Sequence, residues 1–448
     1  MGFVTPSRRV FTCSALRVLL CVFALLLAEN GFATITWTGG GTTNNWSESA
    51  NWNGGVPVAG DVLAFPAGSS RLSMNNDLAP GIAFGPIFFN GGSYTVNGNQ
   101  IGISGGITVD DAASGVTLNA PIKLFASQTI FVRFSTINSP IDLNGFNLTL
   151  SSYGLSPANG LISGTGNVTL YAIRTTANNT YTGTTTITNN SAINGSQPQS
   201  DVTVQSSLFG SGTIGNLLVA SGGMLAPGQQ DPCCNSTNGA AKLTTKDLTF
   251  NSNSSFGRNE INGPVPGSGH DQVSVTGTVT IGSNVTFFVS LSPSFVPTIG
   301  QVFKLIDNDG SDPISGTFTG RPEGSILVLN NYELQLSYAG GDGNDLTLTC
   351  TAAPKTWSGA VNNLWSNGGN WIGGVAPTAG DKLIFPGAPA TLNLQNDLPP
   401  GTVFGAIFFN GGSYTVNGNQ IGISGGITVD DAASGVTLNA PIKLFASQ

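Results

Sequence analysis

The chain reads as an all-β protein, a right-handed parallel β-helix that starts a second time before it stops. Three observations lead there. Short segments alternating apolar and polar residues follow one another, each closed by Gly, Asn, Asp or Pro. No sustained helical periodicity interrupts them. And residues 87–128 recur letter for letter as residues 407–448, a shift of 320 positions. A closed sandwich absorbs such a duplication poorly, whereas a one-dimensional stack of coils absorbs it readily. Coils of roughly 25 residues rising about 4.8 Å each would make one copy a rod on the order of 60 Å long.

Composition narrows the class. Only 8% of the 448 residues are charged, whereas 40% are hydrophobic and 62 are glycine. Low charge with abundant β-branched residues argues for packed strands and against solvated disorder. The net charge of −8 becomes −10 without residues 1–33, which hold Arg8, Arg9, Arg17 and Glu29. Such a sparse acidic surface offers no footprint for nucleic acid or anionic lipid.

Residues 1–33 have the form of a secretory leader. Arg8 and Arg9 precede the apolar run VLLCVFALLLA, and Gly31-Phe32-Ala33 supplies small residues for cleavage. Arg8 and Arg9 also fit a twin-arginine export signal, so the route stays open between the two. Residues 34–71 form a Trp-rich N-terminal cap segment with Trp37, Trp46 and Trp52, and the second copy repeats it with Trp357, Trp365 and Trp371. These are all six tryptophans of the protein. They either cover the end of the coil stack or offer faces for glycan contact; exposure of two or more rings on one face would favour the glycan.

Residues 72–300 carry the coils, with SYTVNG, GITVDD, GNVTLYAI and DVTVQSS as examples. Small uncharged Asn, Ser and Thr suit ladders between neighbouring coils, and Gly suits their sharp corners. Residues 226–241 form a loop or excursion. Residues 301–350 carry longer strands, a terminal region with a capping hairpin. Residues 351–355 link to the second copy, 356–448. An apolar strand edge left at Gln448 would need cover, so the chain is expected to be a piece of a longer repetitive protein.

Candidate chemistry is sparse. Asp110-Asp111 and Gly269-His270 superficially match polygalacturonase motifs, but they lie far apart and no Arg-x-Lys accompanies them. On a strand, Asp110 and Asp111 would point to opposite faces. His270 is the sole histidine. Asp307-Asn308-Asp309-Gly310-Ser311-Asp312 has calcium-type oxygens, yet Phe318 stands where an EF-hand needs Glu. Gly340-Gly341-Asp342-Gly343-Asn344-Asp345 resembles one calcium nonapeptide of a kind that works in tandem. Tight turns account for both. Cys13 and Cys21 lie in the leader; Cys233 and Cys234 are neighbours, and the pairing of one of them with Cys350 stays open. No CxxC spacing suggests zinc. No catalytic residue, cofactor or metal is assigned.

Residues 179–190, NTYTGTTTITNN, resemble the autotransporter-associated β-strand repeat. LFGSGTI at 208–214, GGMLAPG at 222–228, HDQVSVTG at 270–277 and GNDLTL at 343–348 look like stretches found in such passenger-like proteins. The resemblance implies a right-handed parallel β-helix, exported and displayed at or beyond the outer membrane, often as an adhesin. No C-terminal barrel is present in this sequence. The expected function is that of a non-enzymatic surface spacer or adhesin, extracellular or on the outer-membrane surface. Its partner would be a surface glycan or a host or matrix protein, with no nucleic acid and with membrane contact only through an anchor or barrel. The alternatives are a glycan-binding module using the Trp segments and, less favoured, a polysaccharide-degrading β-helix.

Overall fold

A computed structural model describes residues 33–110, 112–113, 115–228, 239–430, 432–433 and 435–447. The leader, Cys13, Cys21, Cys233, Cys234, Asp111 and Gln448 lie outside them. The described chain is a β-solenoid of stacked parallel strands, with only two short 3-10 turns for helix. It divides into two compact units. The first holds residues 1–260, 266–289 and 306–320; the second holds 261–265, 290–305 and 321–448.

In the first unit, side-chain alternation decides which way each strand faces. Val202 and Val204 are buried and Thr203 points out, as a pleated strand with one wet face requires. Strands then stack in register. Leu148 lies beside Val168, then Thr185, Val202, Leu217, Leu248 and Val279. Each buried Leu or Val of this inward row contributes about 1.5–3 kcal/mol. Thr185 is the polar exception. Its hydroxyl meets Ser200 Oγ at 2.7 Å and accepts Gln197 Nε2 at 3.0 Å, so the buried oxygen is satisfied.

One residue along, the outward row reads Thr129, Thr149, Thr169, Thr186, Thr203, Leu218, Thr249 and Thr280. All of these residues are at least partly exposed. Asparagines stitch the corners. Asn119, Asn138 and Asn159 each donate a side-chain amide to the asparagine of the coil before, at 2.8–3.0 Å. The sharpest corners admit no side chain: a Cβ on Gly160 would sit 1.8 Å from the Ser139 carbonyl oxygen. Parallel pairing persists past residue 300, because Val273 to Val275 still lie beside Ile306 to Asn308. Phe318 stacks on Phe287 at 5.0 Å and on Phe256 at 6.0 Å, filling the core there.

The second unit contains the antiparallel strands Ile326–Leu329, Tyr332–Gly340 and Asp345–Ala352. Asn330 and Asn331 join the first two with φ of 47° and 68°. Positive φ at both central positions is the hairpin turn whose twist matches its strands, and Asn tolerates it. Lys355–Thr356 then pairs in parallel with Lys382–Pro386, so parallel stacking has already resumed there.

The identical blocks form the same strands in both copies but in different surroundings. Ile122–Leu124 pairs with strands on both sides, while Ile442–Leu444 pairs with Ile421–Ile423 only, among the described residues. Leu124 is 0% exposed and Leu444 is 60% exposed.

Candidate functional site

The tryptophans form compact clusters at the start of each copy. Trp37 ends the strand Thr34–Trp37, and Trp52 opens the antiparallel strand beside it. Their rings meet edge to face at 4.9 Å, and Trp46 meets Trp52 at 5.6 Å. All three pack on Phe65. Trp37 Nε1 donates to Arg71 O at 2.8 Å and Trp52 Nε1 to Trp46 O at 2.8 Å. Trp357, Trp365 and Trp371 repeat the arrangement on Phe385. The Nε1 atoms of Trp46 and Trp365 have no acceptor among the described residues, a cost of about 1–3 kcal/mol each that both copies carry.

This geometry corrects the glycan assignment of Trp37, Trp46, Trp52, Trp357, Trp365 and Trp371. All six are between 0 and 5% exposed, and a stacking platform needs an open ring face. The spacing difference between copies falls in the loop. In the first, the Glu48 carboxylate accepts the N–H groups of Thr42 and Thr43, both at 2.7 Å. The Thr43 hydroxyl first, then these amides, hold its carboxyl down to about 2. In the second, one residue shorter, Asn370 Oδ1 accepts Val361 and Asn362 N–H directly.

The carboxylates are committed to the backbone and to lysines. Asp110 Oδ1 accepts Ala112 N–H at 2.9 Å and Ala113 N–H at 3.1 Å, closing a turn. It follows the strand Ile107–Val109, whereas His270 precedes Gln272–Val275 in a different sheet, and no strand pairing joins them. His270 is buried. Beside it, buried Asp271 accepts Ala241 N–H and Glu260 N–H, each at 2.9 Å. Desolvation pushes its carboxyl up to about 8 against the pull of those donors, with Glu260 adding to the rise.

In the first turn weighed for calcium, Asp307 lies 3.9 Å from Lys242 Nζ and Asn308 Nδ2 donates to Asp312 O. In the second, Asp345 is fully buried against Lys304 Nζ at 2.7 Å. Among the described residues no group of three or more His, Cys, Asp and Glu is placed to hold a metal. Cys350 is buried and forms no disulfide with a described residue, and desolvation raises its thiol. A groove of about 670 Å³ in the second unit is lined by Phe295, Val296, Ile299, Tyr332, Ile372 and Val375, with Lys355 its one charged side chain.

The most distinctive exposed cluster lies at a corner of the first unit, among residues the sequence reading passed over. In Gln128–Val132, Ile130 and Val132 point inward, so Phe131 points out. The chain then turns through Arg133 and Phe134, whose φ is 45°. Ser135 Oγ braces the turn, donating to Arg133 O at 2.8 Å and accepting Val116 N–H at 3.1 Å. In the next coil, Leu148–Ala158 bulges against Val168–Thr175. The register jumps from Ser151↔Tyr171 to Ser156↔Ile173, so four residues stand opposite Ala172 alone, at φ 56°. Ser152 and Ser156 hydroxyls close the base of the bulge at 2.8 Å, and Tyr153 sits near its tip. Phe134, Tyr153 and Tyr171 are 61, 54 and 42% exposed. Phe131 meets Tyr153 edge-on at 5.2 Å. The Arg133 guanidinium lies 5.6 Å from the Phe134 ring and 5.4 Å from the Tyr153 ring, within cation–π range. Its outward place in the apolar–polar alternation of Gln128–Val132 was the signal available for Phe131.

No family model, curated protein or solved structure matches this chain.

Proposed function

We propose that the chain is an exported, non-enzymatic β-solenoid of the autotransporter-passenger type that works at the cell surface as a spacer or adhesin. One observation supports this reading: successive coils are hydrogen-bonded in register over most of the described chain, building lateral surface. Of the carboxylates weighed for chemistry, Asp110 is engaged with backbone amides and Asp345 with Lys304. Export is argued from residues 1–33 alone, and the family from the NTYTGTTTITNN stretch. The partner is a surface glycan or a host or matrix protein.

The test is expression of the full chain with its own leader in a bacterium, followed by protease shaving and adhesion of the cells to glycan- or matrix-coated plates. Surface-accessible protein that raises adhesion is the expected result. Retention in the cytoplasm would count against export. A fall in viscosity of a pectin or alginate solution would favour the polysaccharide-degrading alternative.

A further inference from the structure

We propose that the corner formed by Phe131, Arg133, Phe134, Tyr153 and Tyr171, with the threonine row beside it, is a contact surface for an extended, uncharged polysaccharide chain. The proposal rests on the adhesive reading above and assigns it a site and a ligand class.

The first argument is exposure held in place. Three large aromatic side chains carried by consecutive coils stay more than two-fifths exposed. Other rings are exposed too, Phe125, Phe288 and Phe445 among them, but a cluster of exposed rings points to an interaction. Its backbone is strained to present them. Phe134 and Ala172 occupy the left-handed region, where non-glycine residues cost about 1–3 kcal/mol each. The rings are also buttressed: a Cβ at position 154 would press the Phe134 ring at 3.0 Å. Arg133 is clasped by two of the rings. A preordered aromatic surface loses little entropy on binding.

The second argument is the match of chemistry and spacing. Phe131, Tyr153 and Tyr171 belong to three consecutive coils, which step by about 4.8 Å. That step is close to one sugar unit of an extended glycan, so successive sugars would pass one ring per coil, with Tyr153 reaching that line from the bulge and standing edge-on to Phe131. The apolar C–H face of a pyranose suits the electron-rich face of an aromatic ring. Its hydroxyls would meet Thr129, Thr149 and Thr169, which point outward two residues before Phe131, Ser151 and Tyr171.

The third argument is charge. Arg133 is the cation at this corner. Asp110 is its counterpart in the preceding coil, two residues past Thr108 as Arg133 is two past Phe131. The Arg133 guanidinium is engaged by the Phe134 and Tyr153 rings and the Asp110 carboxylate by the Ala112 and Ala113 amides, so neither is placed to select an acidic or a basic chain, and the ligand is an uncharged glycan.

The experiment is affinity electrophoresis of the full chain through gels containing hydroxyethyl cellulose, an uncharged β-linked glucan, or polygalacturonate, a charged one. Retardation is expected in the first gel and at most weakly in the second. Tyr153→Ala and Phe134→Ala should each weaken retardation about tenfold, the loss of one ring worth roughly 1.4 kcal/mol. Tyr153→Phe should keep it, because the ring remains. Far-UV circular dichroism of each variant verifies the fold. The proposal is overturned if wild-type protein is not retarded by the uncharged glucan. Retardation confined to polygalacturonate, or alanine variants that bind like wild type, would overturn it equally. Cell adhesion that survives Tyr153→Ala would sink the corner and leave the adhesive reading standing; no adhesion by wild-type cells would sink that reading itself.

Discussion

Replacing Leu124 by alanine, and separately Leu444 by alanine, perturbs the same residue in the same 42-residue sequence. Only the surroundings differ. Leu124 is fully buried, on a strand paired on both sides. Its truncation removes the transfer free energy of the side chain and leaves a cavity, a loss of about 3–5 kcal/mol. Leu444 is 60% exposed. Less than half of its side chain leaves water on folding and no closed cavity remains, so the loss should be about 1 kcal/mol or less. Local propensity, turn chemistry and unfolded-chain effects are common to both substitutions and cancel in the comparison. Urea unfolding followed by far-UV circular dichroism measures the difference. At a slope of roughly 2–3 kcal/mol/M, Leu124→Ala should lower a transition midpoint by about 1–2 M, and Leu444→Ala should barely move one. Equal shifts for the two substitutions would refute the claim that stacking of the following coil, rather than local sequence, supplies the stability.

Further outcomes follow from individual sites. The six tryptophans should emit as buried indoles and resist iodide quenching, and a glycan that binds elsewhere should leave their emission unchanged; a ligand-induced shift would return them to the contact surface. Lys304→Met removes the ammonium 2.7 Å from the buried Asp345 carboxylate, and urea melts should report a loss of about 3–5 kcal/mol. The raised Asp271 carboxyl makes the folded state bind a proton more tightly than the unfolded chain. Its contribution is therefore fully present below pH 4 and lost as pH rises through about 8. Asp271→Asn should flatten that part of a stability-versus-pH curve, and an unchanged slope would place the titration elsewhere.

The strands were legible because alternation is a local property: Val202-Thr203-Val204 states which side faces the core without reference to any other coil. A hairpin was expected within residues 301–350, but its turn was not located; two adjacent asparagines between apolar runs, Asn330 and Asn331, supply it. The fate of the tryptophans was not legible. Whether Trp46 is covered depends on Phe65 and Phe84, inward-facing residues 19 and 38 positions away, and both readings fitted the spacing. The Ser152–Leu155 bulge was hidden because SSYGLS reads as an ordinary strand end; only its register against Val168–Thr175 shows that it protrudes. Asp271 gave no sign that its two oxygens hold amides 30 and 11 residues distant.

The identical blocks at 87–128 and 407–448 occupy the same phase of their coils, strand for strand. A genetic crossover between them inserts or deletes 320 residues and leaves each join composed of sequence that already folds in that place. Every inserted copy arrives with its own tryptophan plug, so no hydrophobic interior is opened by the event. The number of tryptophan-capped copies can therefore change between descendants in whole steps, by recombination alone and without a single point mutation.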